Sequence, residues 1–391
     1  MEGVAKRKEV SDTDSEKNDR VAHMSGPLNK GEKVMRHQLR IVTLMFPIIA
    51  VLLALAPVAH AKPKIVILAT GGTIAGVQPG PNDPGYKAGE VSIDQLIKAV
   101  PQLKDLADIS GEQIASIGSQ TMTNEVWVKL AQRANAVLKQ SDVDGVVVTH
   151  GTDTLEETAY FLSLVVKSDK PVVLVGSMRP STAVGADGPA NLFEAVSLAI
   201  NPEARGRGPL IILNDEIHYA REAQKTNSTQ LDTFKSPNRG RAGVMNTGTA
   251  YFYFPNNKRH TTKSQFSIDG VKAEELPRVE IVYSYANFGR DTIDFLVQKG
   301  VKGIVLAGVG DGNTTDAAMA GLVDAAKKGV AVVRATRTGS GIVARNIEVN
   351  DDKLGLIASM ELNPQKARIL LMLGLMQTKD PKKLQELFYT Y

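Results

Sequence analysis

Two threonines, each just after a short apolar run, are the residues of this 391-residue chain best placed to do chemistry. Thr73 ends the motif TGGT after the run Ile65–Ala69, and Thr152 lies in THGTDT after the run Gly145–Val148. Loops that follow parallel strands meet at the carboxyl edge of the sheet. One threonine at such a junction is more often structural, but two favour a hydroxyl on each side of a small carbonyl substrate.

The glycines before Thr73 allow the backbone to pass close to a ligand and to aim N–H groups at it. A phosphate-binding loop is the alternative for such a segment. GGTIAG lacks the lysine of a P-loop and the spacing of a dinucleotide fingerprint, and GVGDG at residues 308–312 lacks that spacing as well. The segment therefore favours acyl chemistry over nucleotide binding.

A threonine hydroxyl is a weak nucleophile and needs a neighbouring base or a lowered pKa. The chain has no cysteine, and beyond residue 61 its histidines are the isolated His150, His218 and His260. Thiol nucleophiles, disulfides and Cys-ligated zinc are excluded, and a His-based metal site or Ser-His-Asp triad is disfavoured. No metal and no cofactor is expected.

Asp153 and Lys225 are the remaining candidates for proton transfer. Lys225 could relay a proton to or from a buried hydroxyl while Asp153 orients it. Each residue has a simpler alternative. Lys225 could be a solvated lysine, and Asp153 could cap a helix that begins at Leu155. The residues alone leave both alternatives open.

The composition is that of an ordinary globular protein, with 43% hydrophobic and 23% charged residues. At 42.0 kDa the chain exceeds the size of one compact core, so we expect two domains. A net charge of +4 is too small to indicate a nucleic-acid partner.

The first 61 residues are expected to lie outside the fold. Residues 1–34 are polar and charged, and they form an N-terminal extension that reflects a misplaced start codon or a tag. From Met35 a basic segment, the apolar run Ile41–Leu55 and small residues at Ala59 and Ala61 follow in order, as in a secretory signal peptide. The run is shorter than the roughly 20 residues of a membrane-spanning helix. We therefore expect cleavage near Ala61, a periplasmic or secreted protein, and no stable membrane anchor.

Apolar runs that alternate with amphipathic segments predict a mostly parallel α/β sheet covered on both faces. The prediction divides the chain into a larger N-terminal catalytic domain (62–254), a linker (255–278) and a smaller C-terminal parallel α/β domain (279–391). The predicted strands are Ile65–Ala69, Gly145–Thr149, Val172–Val175, Leu210–Leu213, Val279–Tyr283, Gly303–Ala307 and Val330–Arg334. The predicted helices are Glu125–Leu138, Leu155–Val166, Asn191–Ile200 and Asp316–Lys328.

Five segments together resemble the bacterial L-asparaginases, and the resemblance extends over essentially all of residues 62–391. The two threonine motifs carry most of it, and the signal peptide resembles the secreted type II branch. The five segments are ILATGGTIAG, IGSQ (Ile117–Gln120), VVTHGTDTLEETAYFL (Val147–Leu162), VGSMRP and LNPQKAR (Leu362–Arg368).

The resemblance implies a role for each matching residue. Thr73 would be the acyl-accepting nucleophile, polarised by Tyr86 from a mobile glycine-rich loop. Thr152, Asp153 and Lys225 would form a supporting triad. The α-carboxylate and α-ammonium of the substrate would be held by Ser119, Gln120 and Asp153.

The resemblance also implies a homotetramer built as a dimer of dimers, with each site completed by Glu348 from a neighbouring subunit. Asn313 belongs to the same subunit-contributed wall. Two departures concern substrate contacts: Asp311 stands where members usually have asparagine, and Ser177 stands at the substrate-facing edge where others often have alanine.

The expected reaction is hydrolysis of L-asparagine to L-aspartate and ammonia through a covalent acyl-enzyme. A broad glutaminase-asparaginase is the nearest alternative, because one methylene is worth only about 1–3 kcal/mol of discrimination. From another class, a periplasmic amino-acid-binding protein would also be secreted with two α/β domains, but it would not need Thr73 or Lys225.

Overall fold

The computed structural model of the protein describes residues 61–80 and 85–391, and residues 62–391 form one compact unit. Its first ten strands build an eight-stranded sheet and a separate two-stranded pair. In chain order they are β1 (Lys64–Gly71), β2 (Asp108–Ile117), β3 (Gly145–Thr149), β4 (Val172–Val175), β5 (Leu210–Leu213), β6 (Glu216–Tyr219), β7 (Gln224–Lys225), β8 (Phe234–Lys235), β9 (Gly243–Asn246) and β10 (Thr249–Phe252).

The large sheet has the strand order β10-β9-β6-β5-β4-β3-β1-β2, and β7 pairs only with β8. Strands β2, β1, β3, β4 and β5 are parallel, whereas the pairs β5–β6, β6–β9 and β9–β10 are antiparallel. Every residue of β3, β4 and β5 is buried, as expected for central strands covered on both faces. The parallel part of the sheet therefore places the loops after β1, β2 and β3 at one edge.

Helices cover both faces of this sheet. Successive residues of β1 point to opposite faces, so Val66 and Leu68 join one core and Ile65 and Ile67 join the other. The first core is built with α3 (Asn124–Leu138) and α4 (Leu155–Val165), and the second with α1 (Ile93–Ala99), α2 (Leu103–Leu106) and α5 (Gly188–Ala199).

A second sheet of four parallel strands is formed by the C-terminal part of the chain, in the order β11-β12-β13-β14. Helices α6 (Asp291–Gln298) and α7 (Asp316–Lys327) cover one face, while α9 (Pro364–Leu375) packs between the other face and α4, so the first core extends through both sheets. The elements are β11 (Val279–Tyr283), α6 (Asp291–Gln298), β12 (Gly303–Gly308), α7 (Asp316–Lys327), β13 (Ala331–Thr336), α8 (Asp351–Leu354), β14 (Ile357–Ala358), α9 (Pro364–Leu375) and α10 (Pro381–Thr390).

The predicted fold class is confirmed: a larger, mostly parallel N-terminal sheet and a smaller C-terminal parallel sheet, both flanked by helices. Helix α5 begins at Gly188, three residues before the predicted start at Asn191, because Pro189 suits the first helical turn. The domain bounds 62–254, 255–278 and 279–391 stay a prediction. Between β10 and β11 the chain forms two short 3₁₀ turns, Thr261–Lys263 and Ala273–Glu275.

The predicted extension and signal peptide lie outside the described residues, apart from Ala61. Within residues 61–80 and 85–391, no helix is long and apolar enough to cross a membrane.

Candidate active site

Gly71 and Gly72 bring three loops into backbone contact at the carboxyl edge of the large sheet. Both have a positive φ, 106° and 86°, which side chains rarely adopt. A Cβ on Gly72 would lie 2.2 Å from the backbone nitrogen of Gly151, and one on Gly71 would lie 2.5 Å from the carbonyl oxygen of Ile117. The loop carrying Thr73 therefore touches the loop after β3 and the end of β2.

Thr73 is 7% exposed and begins a 3₁₀ turn immediately after the two glycines. Its hydroxyl shares a 2.8 Å hydrogen bond with the hydroxyl of the half-exposed Tyr86. Two backbone hydrogen bonds of 3.0 Å join Val77 to Lys87 and close the loop that carries Tyr86. Part of that loop, residues 81–84, lies outside the described residues.

Thr152, Asp153 and Lys225 form a connected group on the neighbouring loop. Lys225 Nζ donates to Thr152 Oγ1 at 2.9 Å and to Asp153 Oδ1 at 2.7 Å. Lys225 is therefore not simply a solvated lysine. Helix α4 has Thr154 as its N-cap residue, with no side-chain capping bond, so the alternative of a capping Asp153 is wrong.

Ser119 joins the same edge from the end of β2. Its Oγ accepts a hydrogen bond from the Asp153 backbone amide at 3.1 Å, and its carbonyl accepts one from the Thr154 hydroxyl at 2.8 Å. The next residue, Gln120, is exposed, and its side chain folds back over Gly118, 2.4 Å from where a Cβ would lie. Ser119 thus contacts Asp153 directly, and Gln120 is the next residue along the chain, while their shared role in holding the substrate stays a prediction.

Ser177 lies in the loop after β4, fully buried, and its hydroxyl donates to the Arg179 carbonyl at 2.8 Å. The neighbouring Gly176 approaches the methyl group of Thr152. Ser177 is therefore next to the threonine loop, with its hydroxyl used within its own turn.

Asn313 and Glu348 lie at the edge of the small sheet, where the Asn313 side-chain amide donates to the Glu348 carboxylate. Among the described residues, no hydrogen bond joins this pair to Thr73, Thr152 or Lys225. Asp311 accepts a 2.9 Å hydrogen bond from the Ala344 amide through its side chain. The acidic residue that departs from the family pattern thus ties together the two loops that carry Asn313 and Glu348.

Two family models match the chain in succession. The model described as "Asparaginase, N-terminal" matches residues 64–258, and "Glutaminase/Asparaginase C-terminal domain" matches residues 278–388. The chain belongs to the asparaginase family. The predicted resemblance is therefore confirmed.

Several relatives within the family are similar over most of their length. L-asparaginase 2 of Bacillus subtilis is 54% identical over 84% of this chain and 87% of that protein. A probable periplasmic L-asparaginase of Haemophilus influenzae is 50% identical, covering 83% and 92%. A glutaminase-asparaginase of Pseudomonas fluorescens is 45% identical, covering 84% and 90%.

A solved structure supports the fold assignment. The crystal structure of a probable cytoplasmic L-asparaginase from Campylobacter jejuni has a TM-score of 0.82 and 49% sequence identity, covering 84% of this chain and 100% of that one. The family thus includes proteins named as periplasmic and as cytoplasmic.

Among the described histidines of this asparaginase-family chain, His150 adjoins the Thr152 loop, and it is held in a fixed, neutral form. His150 Nδ1 donates to the Gly151 carbonyl at 2.7 Å, so Nε2 accepts from the Thr158 hydroxyl at 2.8 Å. The Trp127 indole in turn donates to Thr158 at 2.8 Å. Complete burial lowers the pKa of His150 to about 4. His150 therefore supports the Thr152 loop as a neutral hydrogen-bonding group.

Two charged residues that hold Lys225 in place were not among the residues predicted from the sequence. Glu156 and Lys366, 4% and 2% exposed, bond to the backbone of residues 221–225. The available signal was a charged residue inside an apolar helical segment, as in LEETAYFL and PQKARILL. Within the described residues, no group of three or more His, Cys, Asp or Glu side chains is arranged to hold a metal ion.

Proposed function

We propose that this protein hydrolyses the side-chain amide of L-asparagine to give L-aspartate and ammonia, with Thr73 as nucleophile. The observation that supports this most directly is the pair of buried threonine hydroxyls at one sheet edge. Each is hydrogen-bonded to a different group that can hold or pass a proton: Thr73 to Tyr86, and Thr152 to Lys225.

In the proposed reaction, Thr73 Oγ attacks the amide carbon and its proton passes toward Tyr86. The resulting oxyanion is stabilised by nearby N–H groups, and the C–N bond breaks as the nitrogen gains a proton and leaves as ammonia. Water then attacks the acyl ester on Thr73, which releases aspartate and restores the hydroxyl. Lys225, held by Asp153, orients the Thr152 hydroxyl on the opposite side of the carbonyl.

The charged ends of the substrate match groups beside the threonines. Asp153 has one carboxylate oxygen on Lys225 and is more than half exposed, so it can also take the α-ammonium group. Gln120 and the backbone near Ser119 are left for the α-carboxylate. These assignments explain why the substrate should be an α-amino acid rather than a simple amide.

The decisive measurement is ammonia release by the purified full chain from L-asparagine and, separately, from L-glutamine. We expect much faster release from asparagine, and Thr73→Ala should lower it by about 10³-fold or more. Equal rates would favour a glutaminase-asparaginase, which the family includes. Binding of either amino acid without any ammonia would instead make the chain an amino-acid-binding protein.

The covalent intermediate has its own test. Rapid acid quench during turnover should leave a Thr73 peptide with the added mass of an aspartyl group, detected by mass spectrometry. Thr149→Val is a suitable control, because it removes a buried threonine hydroxyl that has no hydrogen-bond partner among the described residues, and the acylated Thr73 peptide should still form. Full turnover with no acylated Thr73 would contradict the mechanism.

We also propose that the protein acts as a homotetramer whose sites use Glu348 and Asn313 of a neighbouring subunit, and that it is exported. Glu348 is exposed and Asn313 is partly buried, and the two side chains hydrogen-bond only to each other among the described side chains. N-terminal sequencing of protein recovered outside the cytoplasm should begin near Lys62. An intact N-terminus on a protein confined to the cytoplasm would contradict export.

A further inference from the structure

Lys225 lies on a strand that has little support of its own. Strand β7 comprises only Gln224 and Lys225, and it pairs with the equally short β8, outside the eight-stranded sheet. Two residues on such a strand cannot by themselves fix a long lysine side chain. Contacts from other elements must therefore set the position of Lys225.

The first of these contacts comes from Glu156, in the first turn of α4 and three residues after Asp153. One carboxylate oxygen accepts from the Lys225 backbone amide at 2.6 Å. The other accepts from the Asn363 side-chain amide at 2.9 Å. Both oxygens of this buried carboxylate thus accept hydrogen bonds, one from β7, the strand that carries Lys225 (the lysine strand), and one from the start of α9.

The second contact comes from Lys366, also in the first turn of α9. Its ammonium group donates to the carbonyls of Arg221, at 2.9 Å, and Ala223. Asn363 caps the same helix by accepting from the Lys366 backbone amide at 3.1 Å. Burial lowers the pKa of Lys366, as expected for a cation removed from water.

We propose that Glu156, Asn363 and Lys366 are positioning residues that hold the backbone of residues 221–225, and so set the distance between Lys225 Nζ and the Thr152 hydroxyl. This inference rests on the proposed function, in which Lys225 acts on Thr152. It also assigns α9, which packs on the small sheet, a direct part in building the site at the edge of the large sheet.

The pattern of contacts argues for positioning rather than general stabilisation. All three bonds to the 221–225 segment go to its backbone, and Lys225 is the member of that segment that reaches Thr152 and Asp153. Burying a carboxylate and an ammonium is costly unless their hydrogen bonds are fulfilled. An apolar pair could pack the same space but could not fix the lysine backbone.

The test begins with Glu156→Gln, which keeps the size of the side chain. One carboxylate oxygen is replaced by an NH₂ group, which can only donate. This group then faces either the Lys225 backbone N–H or the Asn363 side-chain NH₂, and both of those are donors as well. If Asn363 turns its oxygen toward Gln, the cap on α9 is lost. We expect kcat for asparagine to fall about tenfold and KM to change by less than about twofold. A small displacement of a catalytic group lowers the rate of the chemical step strongly.

The double variant Glu156→Gln with Asn363→Asp should restore most of kcat. The new aspartate can accept from the glutamine NH₂ group and still cap α9, since Asp and Asn are both favoured N-caps. The hydrogen bonds are then the same as in the natural protein with the two partners exchanged. Rescue by an exchanged pair is not expected of a residue that only adds stability.

Asn135→Ala is the matched control, because Asn135 lies on α3 and contacts the opposite end of α4. Asn135 is buried and joins the Val165 carbonyl, at 3.2 Å, to the Lys167 amide, at 2.7 Å. Its loss should lower the melting temperature while leaving kcat unchanged. A kcat loss in Glu156→Gln that the second substitution does not repair, or equal kcat losses in the control, would overturn the inference.

Lys225→Met separates this inference from the proposed function. If Lys225→Met is nearly inactive but Glu156→Gln has unchanged kcat, positioning by Glu156 is wrong and the proposed function stands. If Lys225→Met keeps full activity, the role of Lys225 and its positioning by Glu156 are both wrong, whereas hydrolysis of asparagine with Thr73 as nucleophile stands. No ammonia from the natural protein would instead contradict the proposed function itself.

Discussion

The threonine edge of the large sheet and the Asn313–Glu348 edge of the small sheet both follow the carboxyl ends of parallel strands, but they are held in different ways. At the first edge, glycine backbones touch, and Thr73 and Thr152 are buried. At the second, Glu348 is exposed, and the loops that carry Asn313 and Glu348 are held by buried side chains below them.

The support beneath the second edge is a fully buried ion pair. Arg334 Nε lies 2.7 Å from Asp351 Oδ1, and both side chains are 0% exposed. Arg334 also donates to the Asp311 carbonyl at 2.8 Å, while Asp351 accepts from the Asn346 amide at 3.0 Å. One pair therefore fixes the loop before Asn313 and the loop before Glu348.

The difference shows what each edge can do. Backbone contact places two hydroxyls close together inside one chain, which suits a nucleophile and its neighbours. An exposed Glu348 on a loop that a buried ion pair holds in place can contact a neighbouring chain, which supports the proposal that Glu348 completes the site of another subunit.

Among substitutions that leave every proposed catalytic side chain in place, Gly72→Ala should have the largest effect, because it breaks the backbone contact at the first edge. The new Cβ would lie 2.2 Å from the Gly151 nitrogen, so the Thr73 and Thr152 loops must separate. Displacements near 1 Å can lower activity about 10²-fold, and we expect at least that loss in kcat/KM for asparagine.

Gly329→Ala is the control for backbone strain alone. Gly329 has a φ of 83°, close to that of Gly72, but a Cβ there would meet no atom within 4 Å. It should lower stability by about 1 kcal/mol and leave kcat/KM unchanged. Similar activity losses in both variants would show that strain, not loop contact, matters at Gly72.

Sequence patterns predicted the central strands well, because continuous apolar runs between Gly, Pro and polar residues have few alternatives. Strands β3, β4 and β11 have the predicted bounds. The long strand β2 was not predicted, since Ile114 is the one buried residue of this edge strand and DISGEQIASI shows no strong alternation.

The candidate site was predicted where side chains follow strands and resemble family motifs, as with Thr73, Thr152 and Lys225. Glu156 and Lys366 were not predicted, because their partners are backbone atoms and residues far along the chain. Asn363 lies 207 residues from Glu156, and Arg221 lies 145 residues from Lys366. Such pairs depend on how α9 packs against α4, which local patterns do not contain.

Mixing two inactive variants tests whether the second edge serves another subunit. Thr73→Ala and Glu348→Ala should each have little activity alone. In a two-fold dimer that contains one of each, one site carries both substitutions and the other carries neither, so random assembly should restore about a quarter of the natural activity. Ammonia release by the total protein after co-expression of the two variants at equal levels, both purified through the same tag, measures this directly.

A mixture that stays inactive would mean that each chain completes its own site, and the proposed sharing would be wrong. Mixing Thr73→Ala with Lys225→Met is the control. Both residues belong to the first edge of the same chain, so hybrid dimers should contain one damaged site of each kind and remain inactive.

Glu157→Gln should have the smallest effect on activity. It changes the contact between α4, which borders the first edge, and α9, which packs on the small sheet. Glu157 lies on α4 beside Glu156, but it faces Arg368 of α9 at 4.0 Å instead of the lysine strand. Burial raises the pKa of Glu157 to about 7, only partly opposed by Arg368. In the unfolded chain this carboxyl titrates near its ordinary value of about 4.3.

Between roughly pH 4.5 and 7 the unfolded state therefore gives up this proton before the folded state does, so stability falls as the pH rises through that window. Glutamine removes the titration. The difference in unfolding free energy between Glu157→Gln and the natural protein should therefore be about 2 kcal/mol more in favour of the variant at pH 8 than at pH 5. Urea unfolding at each pH measures this difference. Because Glu157 does not touch the lysine strand, kcat should stay unchanged at every pH. A change in kcat would mean that the whole contact between α4 and α9, and not Glu156 alone, sets the position of Lys225.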